Sequence, residues 1–312
     1  MSSPLVLSTG PSTPAPVPVD QWESISVEWF GADGSYWDLA DGLEGVVLQA
    51  FGTEGMHDPE LTKYASKGRA VPGKRQRGWR AEERKVFWPV LVYADGSPEW
   101  VDTYGRFFGS IDPERPGRWR VGFRGVYREL LLTGVYERPH SFETHPTVFG
   151  WGRFGVELEA AQPFWIGTAI ETPAFGAPAP VPFIQPPGAP DFHVSAAENS
   201  STATIDNPGN VEAWPKWEIV ASASVPGGVI TLGTGGVTAT IPFALAEGDV
   251  LLIDTDPRNV TATLNGEDVT QPLGLVPWSA VAPGESVALS IDIPQGVTVQ
   301  ATLRPLYFRA IG

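Results

Sequence analysis

At 312 residues, with 35 glycines and 31 prolines, the chain exceeds the usual single-domain size and is too rich in helix breakers to be helical. Twelve tryptophans and fifteen phenylalanines need burial and exclude simple disorder, while the absence of cysteine excludes disulfides and thiolate metal sites. A formal charge of −15 argues against nucleic acid as the main partner. These properties predict two domains made of many short strands joined by turns.

The charge is unevenly spread. Nine of the 21 basic residues fall between Lys63 and Lys85 with only two of the 36 acidic ones, whereas residues 160–312 hold four basic residues against fourteen acidic. A basic segment beside an acidic surplus suits self-association through complementary surfaces. No apolar run approaches the length of a membrane span. Residues 1–20 lack both a positive start and a long apolar run, so they do not read as a signal peptide. Their five prolines predict an extended arm, either free or ordered against a neighbouring subunit.

In chain order, residues 22–30 alternate, with Ile25, Val27 and Trp29 on one face, and predict a strand. Gly31-Ala32-Asp33-Gly34 turns the chain towards further extended segments at 36–39 and 45–49. Asp58-Pro59 has the form of an N-cap followed by proline at the first helical position, so a short helix to about Ser66 is expected. Residues 67–80 follow as an irregular loop or long hairpin tip, interrupted by three glycines and a proline. Basic residues interleaved with Trp79 are one pattern of RNA contact. The chain's acidity favours a solvated loop or a subunit contact instead.

Residues 86–93 form an apolar strand whose Pro89 implies an edge or a bulge. Trp100, Tyr104, Phe107, Phe108 and Ile111 recur at helical spacing and predict an amphipathic helix packed on a sheet. Trp119, Val121 and Phe123 alternate with Arg118, Arg120 and Arg124, a strand with a cationic outer face. Residues 126–132 and 154–160 are further strands. Seven prolines then fall between Thr172 and Asp191. Such a run favours semi-rigid polyproline conformation and a spacer role over use as an SH3-type ligand. Beyond it the pattern is purely β. Val287, Leu289, Ile291 and Ile293 alternate, as do Val297, Val299, Ala301 and Leu303, which predicts a sandwich.

Three segments of this second half carry a family pattern. Asn207-Pro208-Gly209-Asn210 is a tight turn feeding a strand over 214–219, read as an edge strand because Pro215 lacks an N–H. Gly248-Asp249-Val250-Leu251 opens a buried strand ending at Asp254-Thr255, and Leu264-Asn265-Gly266 enters a hairpin turn. Their order and spacing resemble the C-terminal domain of siphophage distal tail proteins, the Dit family. There an N-x-G-N…P…I segment precedes a G-D-x-L…D-T…x-L-N-G hairpin. Pro283-Gly284-Glu285-Ser286 resembles that family's P-G-x-N element, without its asparagine. Ala161-Gln162-Pro163-Phe164-Trp165 resembles the A-x-P-F/Y-W segment that closes the family's N-terminal belt half.

The resemblance runs from about Trp22 to Phe308. It implies a mainly β chain: an arm at 1–20, a belt-type β-sandwich with a helix at 21–171, a proline-rich linker at 172–193 and a galectin-like β-sandwich at 194–312. It further implies a structural virion protein, made in the host cytoplasm, that forms a ring at the distal end of a long non-contractile tail. Such rings are generally hexameric, and the implied partners are tail-tube, tape-measure and tail-tip or baseplate proteins.

Catalytic and metal-binding patterns are weak. The histidines are His57, His140, His145 and His193, and none forms the helical i,i+4 pair of a zinc site. Glu157 and Glu159 share a strand face in the manner of a glycosidase pair but have no accompanying cluster. Asp249, Asp254 and Asp256 do not match an EF-hand loop. No nucleophile elbow or phosphate-binding glycine loop stands out, and Arg258-Asn259 lacks the His and Trp of a galectin sugar site. We therefore expect no enzyme activity, no cofactor and no metal.

Two surfaces are candidates for function. Lys67, Arg69, Lys74, Arg75, Arg77 and Arg80 are expected at a subunit interface. Trp214, Trp217 and Trp278 are expected either in the core or domain contacts, or stacked on a cell-wall glycan in an alternative role as a carbohydrate-binding host-attachment module.

Overall fold

The computed structural model describes residues 23–49, 51–69, 72–135, 145–176, 203–274 and 276–312. The predicted arm, Trp22, His140, His193 and most of the proline-rich linker lie outside the described residues. Strands β1 (Ser26–Phe30), β2 (Tyr36–Asp38) and β3 (Val46–Leu48) open the chain, followed by β4 (Leu61–Ser66), β5 (Arg75–Ala81) and β6 (Arg84–Tyr93). Helix α1 (Ser97–Gly109), β7 (Gly117–Phe123), β8 (Val126–Gly134), the short helix α2 (Pro146–Phe149), β9 (Trp151–Ala160) and β10 (Trp165–Gly167) complete the first half. Among the described residues these strands form a sheet ordered β2-β1-β7-β8-β9-β6-β3, with β10 on β8, while β4 and β5 pair only with each other.

Alternation dictates the packing of this sheet. In β6, Arg84, Val86, Trp88, Val90 and Val92 are buried, and in β7 Trp119 and Val121 are. The Trp88 ring meets Trp29 and Trp119 edge-on at 5.2 Å each, and Trp119 meets Trp165 at 4.9 Å. Trp29 and Trp88 sit on strands four positions apart in the sheet order, so the sheet curls over and packs on itself. Helix α1 closes the core with Trp100 and Phe107. The cationic face predicted for β7 is neutralised: Arg120 pairs with Glu28 and Glu129, Arg118 with Glu129 and Arg124 with Glu23.

Three local expectations are corrected. The helix expected after Asp58-Pro59 is strand β4, because Leu61 to Ser66 has a pairing partner in β5 that a helix would forgo. Pro89 lies in an interior strand with no bulge. Its nitrogen points to the β3 side, just where that strand ends, and its carbonyl accepts from Gln49 N at 2.8 Å. The missing N–H therefore forgoes only the reciprocal bond to Gln49, the point at which the β3 ladder stops. Finally, the segment read as an edge strand is a central one.

That central strand is β14 (Lys216–Ala221), preceded by β11 (Ile170–Glu171), β12 (Phe175–Gly176) and β13 (Thr204–Asp206). After it come β15 (Thr231–Thr234), β16 (Val237–Thr240), β17 (Val250–Asp254), β18 (Thr261–Leu264), β19 (Glu267–Asp268), helix α3 (Thr270–Leu273), β20 (Ser286–Asp292) and β21 (Val297–Leu303). One sheet runs β11-β21-β14-β17-β18-β19 with β12 also on β21, and a second runs β13-β20-β15-β16. Pro215 lies one residue before β14, outside both ladders, so it does not confine the strand to an edge. Trp217, Ile219, Val299 and Ala301 from one sheet share a core with Leu232, Leu289 and Ile291 from the other, which is the predicted sandwich. Asn265 and Gly266 both take positive φ, 52° and 90°, as the predicted Asn-Gly hairpin turn requires.

The last strand, β22 (Leu306–Tyr307), leaves the sandwich and pairs with β10, so the chain ends on the first sheet, and Ala310 is buried in the first core. The Asn207-Pro208-Gly209-Asn210 turn clasps this crossing. Buried Asn207 donates from Nδ2 to the carbonyls of Val211 (2.9 Å) and Val281 (2.8 Å) and accepts from Gly209 N. Asn210 N donates to Leu306 O at 2.8 Å, and a Cβ on Gly209 would come within 2.6 Å of that same carbonyl.

Candidate functional site: a cationic hairpin and an aromatic cleft

The β4–β5 hairpin stands apart from both cores. Both of its faces are open to solvent, and its register shifts between Tyr64 and Ala65. Lys67 and Arg69 follow β4, Lys74 precedes β5, and Arg75, Arg77 and Arg80 lie along β5; all six are exposed. The hairpin thus gathers the six predicted interface residues on one ribbon. Arg77 donates to Ser66 Oγ at 3.0 Å, and Arg80 lies 3.7 Å from Glu82, while Lys67, Arg69, Lys74 and Arg75 have no ion pair among the described residues. An unsupported two-stranded ribbon is marginal in water, so this one needs an anchor at its base.

Arg84 supplies that anchor. Only 2% exposed, it donates from Nε to Pro163 O (2.6 Å), from Nη1 to Gly55 O (2.8 Å) and His57 O, and from Nη2 to Phe308 O (2.8 Å). Burial lowers its pKa to about 10, which leaves it charged at neutral pH. One side chain therefore ties the hairpin base to the loop before β4, the segment before β10 and the chain's tail. Asp58 and Arg309 add a bidentate pair at 2.9 and 3.0 Å across the same junction, and that contact lowers the Asp58 pKa.

Beside the hairpin base lies a cleft of about 800 Å3 between the ribbon and the sandwich. Trp79 forms one wall, wedged against Phe308 (5.7 Å) and, edge-on, Phe164 (6.4 Å), with 44% of its surface left exposed. Trp214, Asn210 and Glu212 line the opposite wall with Arg258, whose charge is met by Asp256 at 2.5 Å. Lys63 and Gln76 complete the polar lining from the ribbon.

Of the three predicted glycan contacts, only Trp214 reaches this cleft. Trp217 is 1% exposed in the sandwich core, where its position on the inward face of β14 removes it from any surface ligand. Trp278 is half-buried against the same core and does not line the cleft. Sequence reasoning missed Trp79, Phe164 and Phe308. A lone tryptophan inside a basic run was the available signal. The candidate calcium turn is internally satisfied: Asp249 accepts from Ala246 N and Asn265 Nδ2, Asp254 pairs with Lys216, and Asp256 with Arg258. Among the described residues no group of three or more His, Cys, Asp or Glu side chains is placed to hold a metal ion.

The same arrangement of both halves occurs in solved phage proteins. The crystal structure of SPP1 Dit, a paradigm of the hub adsorption apparatus in phages infecting Gram-positive bacteria, aligns over 90% of this chain and 98% of its own, at 13% identity and a TM-score of 0.58. Structures of the phage P2 baseplate in its activated conformation, with Ca and with Sr, align over the same shares at 10% identity, with TM-scores of 0.50 and 0.51. No family model and no curated protein matches the sequence. The fold is thus of the phage distal tail, or Dit, type, mainly β throughout. The likeness spans nearly the whole chain.

Proposed function

We propose that this chain is a structural, non-enzymatic protein of a long non-contractile phage tail. Copies of it form a ring, six to a turn, at the distal end of the tail tube and join the tube to the tail-tip or baseplate proteins and the tape measure. In this reading the belt expected at 21–171 forms the ring and the sandwich expected at 194–312 projects outward, with β11 and β12 counted on the sandwich sheet rather than on the belt or the 172–193 spacer, and β22 on the belt sheet. The protein is made in the host cytoplasm and resides at the virion's tail tip. The observation that carries the reading is the end-to-end likeness to SPP1 Dit, which reaches both halves rather than one common sandwich. Light scattering tests it: the purified chain is expected to populate a species of about 200 kDa, six times its 33.5 kDa mass. A mass fixed at a different multiple would reject the sixfold ring.

The aromatic cleft supports a second reading, that the protein also holds host cell-wall glycan. Sugars stack on exposed indole faces while their hydroxyls need both donors and acceptors, and Trp79, Trp214, Asn210, Glu212 and Lys63 provide these together. Repetition around a ring would raise a weak single-site affinity. Soluble cell-wall oligosaccharides are expected to change the tryptophan fluorescence of the wild type and not of Trp79→Ala. Equal binding by both chains would remove the cleft from consideration.

A further inference from the structure

The cationic ribbon springs from the start of β6, and the end of β6 carries a surface of opposite character. Three segments meet there: Tyr93 Oη donates to Gly42 O at 2.5 Å, Ala94 N to Gly150 O at 2.9 Å and Ser97 Oγ to Thr147 O at 2.5 Å. They expose Leu43 (83%), Val101 (53%), Val148 (74%) and Phe149 (62%), large apolar side chains carried on the segments that meet there. Asp41, Asp95, Glu99 and Asp102 lie on the same segments, all exposed and none in an ion pair among the described residues. Arg153, stacked over Trp151 at 5.7 Å, is a cation close by.

We infer that this α1–α2 end is the receiving face for the cationic hairpin of a second copy of the chain. The two surfaces match in charge: four unpaired carboxylates meet the unpaired Lys67, Arg69, Lys74 and Arg75. They also match in apolar content, since the ribbon exposes Tyr64 at 49%, away from the cleft. Ten residues of extended β6 separate them by about 30 Å, so the hairpin does not lie on its own chain's face. The docking also supplies what the ribbon lacks, a surface to cover strands open on both sides. Such a contact joins two different faces of one molecule. It is therefore heterologous, the class of contact that builds a ring when its rotation closes. This inference rests on the ring reading above and names the two surfaces that would build the ring.

Charge reversal on each face, and then on both, is the test. The first variant carries Lys74→Glu, Arg75→Glu and Arg77→Glu; the second carries Asp95→Lys, Glu99→Lys and Asp102→Lys. Each alone is expected to associate at least a hundredfold more weakly than the wild type by sedimentation. Mixed in equal amounts they are expected to assemble again, because each then offers the other a complementary face. Recovery on mixing also shows that both variants are folded. Phe149→Ser is expected to weaken association about tenfold, with little dependence on salt. If the wild type associates and neither reversal changes its mass, this contact is wrong while the ring survives. A wild type that stays monomeric even at about millimolar concentration overturns both.

Discussion

Replacing Arg84 with methionine is expected to cost about 3–5 kcal/mol of stability, read as a lower urea midpoint for the tryptophan-rich first core. Methionine keeps most of the side-chain volume, so the loss measures hydrogen bonding rather than a cavity. Four main-chain carbonyls, from Gly55, His57, Pro163 and Phe308, lose their donor together. Water has no ready access to replace it at a site where the side chain is 2% exposed. Arg84→Lys keeps the charge but presents one ammonium where a planar fork reached three segments, so an intermediate loss is expected. The hairpin base and the tail share this one anchor, and the methionine variant should therefore also weaken self-association. A midpoint shift worth less than about 1 kcal/mol would show that the carbonyls find other partners.

The strands that alternate were legible because one face of each is buried. Val27 and Trp29, Trp119 and Val121, and the run from Val297 to Leu303 all have period two, and all fall in the two cores. The β4–β5 ribbon had no such signal. With both faces in water, nothing alternates, and the local cue of Asp58-Pro59 pointed to a helix that cross-strand pairing overrides. At β14 the local cue was sound but over-read: Pro215 forbids a ladder bond at its own position and does not constrain the six residues after it. The Arg124-Gly125 turn, with φ of 52° and 78°, went unnoticed because arginine is an unusual occupant of the left-handed region. The candidate surfaces were visible only in part. The six cations fall within residues 67–80 and could be read directly. The cleft joins residues near 79, 164, 212 and 308, and the receiving face joins residues near 43, 101 and 149, so both depend on long-range topology.

That topology turns on the last nine residues, and their removal is expected to unfold the first core selectively. A chain ending at Leu303 loses β22, and with it the partner of β10 at Trp165 and Ile166. It also strips Arg84 of the Phe308 carbonyl and leaves Arg128 stranded. Arg128 is only 9% exposed, stacks over Tyr307 at 3.7 Å and donates to the carbonyls of Arg309 (2.8 Å) and Gly312. A buried guanidinium deprived of its ring and both acceptors is costly, and with Arg84 weakened as well the expected loss is about 5 kcal/mol or more. The sandwich keeps every strand of its two sheets, because β21 ends at Leu303. Hydrogen exchange separates the outcomes: amides of β8 and β10 should exchange at nearly unfolded rates while those of β14 and β17 keep their protection. If all four strands lose protection together, the two cores fold as one unit and the tail is not a clasp between them. If none does, the two buried arginines hold the first core through the chain before residue 304 alone, and the crossing at Asn207–Asn210 carries no stability.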